Sequence, residues 1–473
     1  MNDRWWLQNP LQSLEPVKVA RRILHGQFTA EGGMRGLWRW KNDWWMWESG
    51  TWVVLDEERI RDRVWLVLED AIYERQTQNG PVLVRYSPDK QKVDGVVRAL
   101  EALVRIEAEE VPVWLGDPDA RFPTGETVAF KDRLVNVRSL ETMERPARWF
   151  DTAILPVAWQ EDAECPRWLK AVEEWGDGDP VWAELLARWM GYCLMGSRKY
   201  ARWMLMYGKI RGGKGTISSV IRRLVGRDAF MGASLEDLAG GFGMDGLERT
   251  KVLSINEVSE LDGKSGERVC RVVKNIVGRD PMTVDAKYMR QQRNVVVNAA
   301  VIMQSNEIPV LPNKGRGLSG KMLVLPFEVS FEGREDLDLE GELVKELAGI
   351  AAWAVRGANR LESSKASERW PVPRAAERAV KMYHLQNNPF DSFLEARFVA
   401  RKDGFVSNVM LRSQWDAWTK ANRIRMHVAS NMLPMKLVQG SSWDLRQVRL
   451  AESQGHERGI AGLGLRKEYD DEH

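Results

Sequence analysis

The chain has 473 residues, 44% of them hydrophobic and 29% charged, a composition typical of soluble globular proteins rather than disordered or membrane-embedded ones. This length is too great for one ordinary hydrophobic core, so roughly two to four domains are expected. The formal net charge of +2 indicates no particular partner. The sequence shows no apolar signal segment and no long apolar run, so neither secretion nor a membrane span is predicted.

The cysteines and tryptophans indicate the redox compartment and the type of core or binding surface. Cys165, Cys193 and Cys270 are far apart and have no C-x-x-C spacing or nearby histidines, which argues against structural zinc and disulfides and predicts a reducing cytoplasm. Of the 22 tryptophans, 17 lie at or before Trp203. They form either a stacking surface for nucleic acid or, as we favour, hydrophobic core.

The N-terminal part is predicted to be mostly helical with a small antiparallel β-meander. Aromatic runs over 36–55, separated by turns at Asn42-Asp43 and Ser49-Gly50, indicate the meander. Asp179-Pro180 marks the start of a helix, with Asp as N-cap and Pro in the first turn. The other predicted elements are helices over 57–74, 92–107 and 181–195 and a hairpin over 128–137.

The most informative stretch runs from Trp203 to Gly226. A short apolar strand is followed by GKIRGGKGT, residues 208–216, and then by a helix with apolar residues at helical spacing. Glycines let backbone N–H groups surround a phosphate, and a helix directs its positive N-terminus at the same anion. This pattern predicts that Lys214 contacts the β- and γ-phosphates of ATP. The alternative is a glycine-rich turn with an unrelated lysine.

One residue of the loop departs from the usual phosphate-loop pattern. Gly215 follows Lys214, where that pattern has Ser or Thr. Thr216 is the hydroxyl that remains available to Mg²⁺, directly or through a water.

Two further buried strands are predicted after the loop, each ending in polar residues. Residues 251–255 lead to Asn256 and Glu257, and residues 299–305 lead to Asn306. Strands that alternate with helices indicate a parallel sheet, which binds ligands at the carboxyl ends of its strands. Between these strands, a hairpin over 280–298 is predicted, with three basic residues at its tip: Lys287, Arg290 and Arg293.

The C-terminal part is predicted to follow a long helix over 340–360 and a Ser- and Pro-containing linker over 363–373. Helices near 388–396, 407–421 and 428–437 precede a strand pair over 445–450 and 459–465, which is the outline of a winged helix. Residues 396–449 contain ten Lys or Arg and three Asp, a local excess of +7. This excess indicates either a DNA-contacting surface or a solvated basic face. The candidate DNA-binding residues are Arg423, Arg425, Lys436, Arg446 and Arg449.

Taken in order, these pieces resemble the superfamily 3 helicases, in particular the helicase part of phage and plasmid primase-helicases related to the poxvirus primase-helicase. The likeness covers most of residues 30–365. It is carried by GKIRGGKGT, KVLSINEV, GRDPMTVDAKYMRQQR, VIMQSNEIP and GLSGKMLVLPF, and upstream by LWRWKNDWWMW, VAFKDRLVNV and CPRWLKAVEEW. It implies an α/β multidomain protein with a helicase-associated domain over 1–197, an AAA+-like P-loop ATPase over 198–365, and a linker and winged-helix-like domain over 366–473.

The resemblance also implies an activity. Such proteins are ATP- and Mg²⁺-dependent DNA helicases that form homohexameric rings and pull single-stranded DNA through a central pore during replication of phages and other mobile elements. The implied nucleotide-binding residues are Gly208, Gly212, Gly213, Lys214, Gly215 and Thr216. Glu257 would act on the attacking water and join Thr216 in holding Mg²⁺, and Asn306 would sense the γ-phosphate. Asn256 stands where an acidic residue commonly precedes that glutamate.

Two positively charged elements complete the implied machinery. Lys321 stands where the family has a trans-acting arginine finger, with Arg316 nearby as the alternative, and a lysine supplies charge without a bidentate fork. The 280–298 hairpin corresponds to the pore hairpin, in which Lys287 would contact DNA phosphates.

Three other functions were weighed against the helicase. An origin-binding initiator would use ATP mainly to assemble on duplex DNA. An inactive ring would fit the departures at Gly215, Asn256 and Lys321. A primase would need a carboxylate pair with a histidine, but Asp117-Pro118-Asp119 reads as a loop without one, so primase activity is expected on another polypeptide.

Overall fold

The computed structural model describes residues 6, 8–240, 246–256, 263–284, 293–309, 318–387, 389–422, 424, 426, 428–450 and 457–466. Within these ranges the protein is a mixed α/β structure with several sheets, of which one is parallel. Every helix in the described ranges is too short or too polar to cross a lipid bilayer.

The described part of the N-terminal region combines helices with a four-stranded sheet of order β3-β2-β1-β6 and a separate β4-β5 hairpin. The predicted meander is confirmed, because Trp38 pairs with Trp45 and Trp47 pairs with Trp52 in antiparallel register. The elements are α1 (Pro16–Gln27), β1 (Leu37–Trp40), β2 (Asp43–Glu48), β3 (Thr51–Leu55), α2 (Glu57–Glu69), β4 (Ile72–Thr77), β5 (Gly80–Arg85), α3 (Lys90–Leu103) and β6 (Arg105–Ile106).

The tryptophans in this half of the chain are mostly core. Of those at or before Trp203 that the structure describes, Trp65 is 40% exposed and a few are half-buried. The buried ones are Trp6, Trp40, Trp44, Trp45, Trp52, Trp114, Trp149, Trp168, Trp175, Trp182, Trp189 and Trp203. The core interpretation is therefore confirmed for the described tryptophans.

The middle region leads from small sheets into two helices. Val128 pairs with Val135, which confirms the predicted hairpin. The Asp179 carboxylate accepts a hydrogen bond from the Val181 N–H at 2.8 Å, so the predicted N-cap is confirmed as well. The elements are β7 (Val113–Trp114), β8 (Thr127–Ala129), β9 (Arg133–Asn136), β10 (Thr142–Glu144), β11 (Trp149–Phe150), α4 (Pro166–Trp175) and α5 (Pro180–Leu194).

The central sheet has five parallel strands in the order β13-β14-β17-β12-β18, which confirms the predicted parallel sheet. Its strands are short and nearly all buried, as expected for a sheet covered on both faces. The elements are β12 (Trp203–Gly208), α6 (Lys214–Val225), β13 (Phe230–Ala233), α7 (Leu235–Gly240), β14 (Val252–Ile255), α8 (Gly263–Gly278), β15 (Met282–Val284), β16 (Arg293–Val295), β17 (Ala300–Ser305) and β18 (Met322–Phe327).

The largest hydrophobic core covers one face of this sheet. It contains residues from both sides of residue 197, where the N-terminal domain was predicted to end. It joins Trp168 and Trp189 to Met204, Ile221 and Val355. The helix predicted over 340–360 is in fact two helices, α9 (Leu339–Lys345) and α10 (Leu347–Ser363). Glu346 separates them, and its carboxylate accepts the backbone N–H groups of Arg167 and Trp168 in the first turn of α4.

Among its described residues, the C-terminal region contains four helices and an antiparallel sheet of order β19-β21-β20. The predicted helices are present, but the structure adds α11 and β19, which the sequence interpretation missed. The elements are α11 (Arg374–Asn387), α12 (Pro389–Arg397), β19 (Phe398–Ser407), α13 (Asn408–Ala421), α14 (Leu433–Gly440), β20 (Arg446–Arg449) and β21 (Arg458–Leu465).

The segment predicted as a linker is anchored to the rest of the protein. The Trp370 ring packs against Trp189, Tyr192 and Tyr200. The Arg188 guanidinium donates hydrogen bonds to the backbone carbonyls of Glu368 and Arg369. These contacts differ from the free tether that its Ser and Pro content predicted.

Candidate functional site

The Gly-rich loop lies between β12 and α6 at the carboxyl end of the parallel sheet. Gly208 and Gly213 have positive φ angles of 136° and 104°. A Cβ on Gly208 would collide with the backbone of Phe327, and one on Gly213 would collide with the Trp175 indole. The chain can follow this path only with glycine at both positions, which explains two of the glycines from geometry alone.

Lys214, the first residue of α6, is 9% exposed. Its ammonium donates hydrogen bonds to the backbone carbonyls of Gly208 at 2.8 Å and Lys209 at 2.7 Å, and it lies 5.7 Å from the Phe327 ring centre. Burial lowers the pKa of Lys214 to about 8. A cation that the described residues hold through carbonyl dipoles, beside an opening, is suited to bind an anion.

Aromatic residues of α4 and α5 pack against this loop and against the end of β18. Trp175 contacts Gly213, while the Trp182 indole N–H donates to the Pro326 carbonyl at 2.6 Å and its ring meets Phe327 edge-on at 5.4 Å. The sequence interpretation named neither tryptophan. Their helical pattern indicated only core, and the contact with the loop depends on how α4 packs.

A cavity of about 1090 Å³ opens beside the loop. Along α6 it is lined by Lys214, Gly215, Ser218, Ser219 and Arg222. These positions share one helix face, because residues three and four apart lie above one another. Thr216 is half-buried and is not part of this wall, although the sequence predicted it as the hydroxyl nearest to Mg²⁺.

The opposite wall carries a hydrogen-bonded cluster that the sequence interpretation missed. The Gln304 side-chain amide nitrogen lies 2.9 Å from Ser218 Oγ, 3.2 Å from Ser254 Oγ and 2.7 Å from Asn256 Oδ1. Ser254 and Asn256 come from the end of β14, and Gln304 comes from β17. Strand position predicted polar residues here, but only the pairing of β14 with β17 shows that they meet.

Asn306 reaches the same cavity from the end of β17. It follows Ser305, which is paired in parallel register with Tyr207 of β12, one residue before the Gly-rich loop. Asn306 and the neighbouring Glu307 are both exposed in the cavity. Asn306 thus lines the same cavity as Lys214, whereas Glu257 lies outside the described residues.

Helix α11 forms a further part of the cavity wall through Met382 and Gln386. The side-chain amide of Asn387, at the end of this helix, donates to the Pro309 carbonyl at 3.0 Å. The C-terminal region is thus in direct contact with the strand end that carries Asn306.

Lys321 is at the other end of the sheet. It is half-buried and immediately precedes β18, whose first residue, Met322, pairs with Trp203, while Phe327 pairs with Gly208 at the loop. Five strand residues at roughly 3.3 Å each separate these ends by about 17 Å. Lys321 is therefore remote from Lys214 of its own chain, and Arg316 lies outside the described residues.

The predicted DNA-binding residues are only partly described. β15 pairs with β16 with Val284 opposite Arg293, so the base of the predicted hairpin is observed, while Lys287 and Arg290 lie outside the described residues. In the C-terminal region, Lys436, Arg446 and Arg449 are exposed. Arg423 and Arg425 also lie outside the described residues.

Carboxylates do not gather into a metal site elsewhere in the described ranges. No group of three or more His, Cys, Asp or Glu side chains there is close enough to hold a metal ion. The Asp119 carboxylate forms an ion pair with Arg121 at 2.8 Å in a loop. These observations give no support to a primase site at Asp117 and Asp119.

The chain is similar to one sequence family and to several solved structures. Residues 206–317 match DUF5906, a family of unknown function, and no curated protein matches the chain. Three solved structures of the C-terminal region of NrS-1 have the same fold. Two A-form apo structures have TM-scores of 0.50 and 0.51 at 11% and 12% identity, and a further apo structure has 0.50 at 13%. In each case the similarity covers 96% of this chain and 100% of the other.

Proposed function

We propose that the chain is a P-loop ATPase that acts as a DNA helicase of the superfamily 3 kind in the replication of a phage or other mobile element. The observation that carries this proposal is the buried Lys214, held by loop carbonyls at the mouth of a cavity where parallel strands end. Ligands of open parallel sheets bind at this position. The matching fold of the NrS-1 C-terminal region is consistent with it.

The residues at this site suit nucleotide binding. Two loop glycines permit a backbone path that residues with a Cβ could not follow, and the first turn of α6 directs its free N–H groups toward the cavity. A bound ATP supplies the phosphoanhydride whose hydrolysis drives movement. Lys214 then exchanges its carbonyl partners for phosphate oxygens, Asn306 contacts the terminal phosphate or the water, and Glu257 is the proposed base.

The remote position of Lys321 is the reason to propose a shared site. Within one chain it is about 17 Å from the loop along the strand direction, so it can act on ATP only from a neighbouring subunit. A ring brings the two together. In this proposal the hairpin with Lys287 contacts single-stranded DNA phosphates in the pore, and Arg290 and Arg293 add to that contact.

The test measures ATP hydrolysis with and without single-stranded DNA, and unwinding of a forked duplex. We expect DNA-stimulated hydrolysis that Lys214→Ala abolishes. Lys209→Ala, which removes an exposed lysine from the same loop, is the matched control and should retain most activity. Hydrolysis by Lys214→Ala at the wild-type rate would contradict the site assignment.

A mixing experiment tests the shared site. Lys214→Ala and Lys321→Ala subunits are each expected to be inactive alone, while mixed rings contain some interfaces with both lysines intact and regain activity. If mixed rings form but never exceed the parents, Lys321 has no role in trans and Arg316 becomes the candidate.

A second function, an origin-binding initiator, is favoured by one observation. The C-terminal region presents the exposed basic side chains of Lys436, Arg446 and Arg449 around an antiparallel sheet, in the helix–strand–helix–helix–strand–strand order of a winged helix. Footprinting on element-derived and random duplexes separates the functions. Strong protection of one sequence would support the initiator, and uniform binding supports the helicase.

A further inference from the structure

Gly215 leaves an open space in the α6 wall of the cavity. An ideal Cβ at this position would meet no heavy atom within 4 Å, and its φ angle is not positive. Neither packing nor backbone conformation therefore requires glycine there. Glycine is also less favourable in a helix than alanine. The space lies directly after Lys214 and is wide enough for a solvent molecule.

Neutral oxygen ligands surround the deeper part of this wall. Ser218 is 7% exposed and comes one helical turn after Lys214, and its Oγ accepts a hydrogen bond from Gln304 at 2.9 Å. The same Gln304 nitrogen also approaches Ser254 and Asn256. The Ser254 hydroxyl also donates to Asn256 Oδ1 at 3.1 Å, so this amide oxygen already accepts two hydrogen bonds. The Ser218 hydroxyl oxygen accepts one and retains a lone pair for another donor.

These groups fit a hydrated cation better than a directly coordinated one. Mg²⁺ requires oxygen ligands, loses its water reluctantly, and usually keeps several waters when it accompanies substrate phosphates. Hydroxyl and amide oxygens can accept hydrogen bonds from such waters. Four residues of helix rise by about 6 Å, so Ser218 lies next to Lys214 on the same helix face.

We propose that Ser218, positioned by its hydrogen bond from Gln304, binds the water shell of the divalent cation that accompanies a bound nucleoside triphosphate, and that Gly215 provides the room for it. This inference rests on the proposed function. It assigns to Ser218 the part that the sequence predicted for Thr216. Thr216 lies about 100° around the helix from Gly215 and lines no part of the described cavity wall.

The test measures equilibrium binding of a fluorescent, non-hydrolysable ATP analogue to the full chain in EDTA, in Mg²⁺ and in cobalt(III) hexammine. The hexammine ion resembles hydrated Mg²⁺ but does not exchange its ligands, so it supports only outer-sphere contacts. We expect it to replace Mg²⁺ in the wild type. Ser218→Ala should reduce the gain in affinity caused by Mg²⁺ by about tenfold, the worth of one or two hydrogen bonds. Affinity in EDTA should not change.

Thr216→Ala is the matched variant, because it removes a hydroxyl from the same helix two residues away. We expect it to leave the Mg²⁺ effect intact, and Gly215→Ser to make the site prefer Mg²⁺ over the hexammine ion by adding a direct ligand. Thermal unfolding in EDTA verifies that each variant is folded.

The inference is wrong if the hexammine ion gives no gain where Mg²⁺ does, or if Thr216→Ala loses the gain and Ser218→Ala keeps it. Lys214→Ala separates this failure from that of the proposed function. If that variant binds the analogue as well as the wild type, there is no phosphate loop. If it loses binding while Ser218→Ala behaves as the wild type, only the water-shell assignment is overturned.

Discussion

Two buried lysines at opposite ends of the central parallel sheet are held in opposite ways. At the amino end, the ammonium of Lys251 pairs with the buried Asp151 carboxylate at 3.3 Å. Arg198, also buried there, donates to the carbonyls of Tyr192, Cys193, Met195, Ser197 and Lys251. At the carboxyl end, Lys214 donates to two carbonyls of its own loop, and no described residue forms an ion pair with it.

This difference distinguishes a structural cation from a binding one. Burial lowers the pKa of both Lys251 and Lys214, but at Lys251 the Asp151 charge opposes that effect. The Lys251 charge is compensated inside the protein by the Asp151 carboxylate. The Lys214 charge lies beside an open cavity and has no carboxylate partner among the described residues, so it gains most from an incoming anion.

The largest expected effect is on stability at the amino end. Lys251→Ala leaves the Asp151 carboxylate buried without its cation and should lower the free energy of unfolding by about 3–5 kcal/mol. Chemical denaturation measures this. Lys251→Met combined with Asp151→Asn removes both charges, keeps the hydrogen bond to the Ala153 N–H, and should recover most of the loss.

Lys18→Ala is the control for that measurement, because its ion pair with Glu15 is exposed on both sides. It should change stability by less than about 1 kcal/mol. A Lys251→Ala protein as stable as Lys18→Ala would show that the amino-end pair does not stabilise the sheet.

Lys214→Ala should instead have a small effect on stability and a large effect on ATP hydrolysis. Removing an uncompensated buried cation costs little stability, whereas loss of a phosphate contact should lower the ATP turnover number at least about 100-fold. Denaturation curves and hydrolysis rates are measured on the same preparation. Strong destabilisation by Lys214→Ala would mean that its role is structural, like that of Lys251.

Gly213→Ala tests the contact between the loop and α4. The new Cβ would meet the Trp175 indole at a positive φ angle, so we expect a loss of about 1–3 kcal/mol in stability together with weaker nucleotide binding. Gly341→Ala, in helix α9 with open space around it, is the control and should be neutral or slightly stabilising. Adding Trp175→Ala to Gly213→Ala should recover binding if the clash is the cause.

The smallest expected effect is a dependence of nucleotide affinity on pH. Because the pKa of Lys214 is lowered from 10.5 to about 8, its ammonium loses its proton above pH 8 in the free protein. Phosphate binds the protonated form, so affinity should fall by up to about tenfold per pH unit above 8, with proton uptake on binding. In the free protein, by contrast, stability should rise between pH 8 and 10.5, because the unfolded chain binds more protons there.

Calorimetry at pH 7 and pH 9, in buffers with different ionisation enthalpies, detects that proton uptake. Lys214→Arg, whose guanidinium stays protonated, is the control and should show none. Equal affinity and no proton uptake at pH 9 in the wild type would indicate that Lys214 does not titrate on binding.

At the carboxyl end of the central sheet, the sequence predicted the secondary-structure elements better than the side chains that meet at the cavity. Apolar runs and the glycine pattern located β12, β14, β17 and the loop, and strand order placed Asn306 near Lys214. Gln304 and Trp175 were missed because one is a polar residue inside a strand and the other looks like core. β19 was missed because residues 401–403 are charged and exposed, and a strand at the surface has no apolar periodicity to reveal it.

The sequence by itself determined the local features: the parallel strands, the strand–loop–helix around Lys214, the helix cap at Asp179 and the burial of the tryptophans. Each of these depends on a few neighbouring residues whose backbone preferences and hydrophobicity act over short distances. Only the tertiary structure decided that Ser218 rather than Thr216 faces the cavity, that Gln304 joins Ser254 and Asn256, and that α11 forms part of the cavity wall. These depend on helix rotation and strand pairing, which are set by packing between residues far apart in the chain.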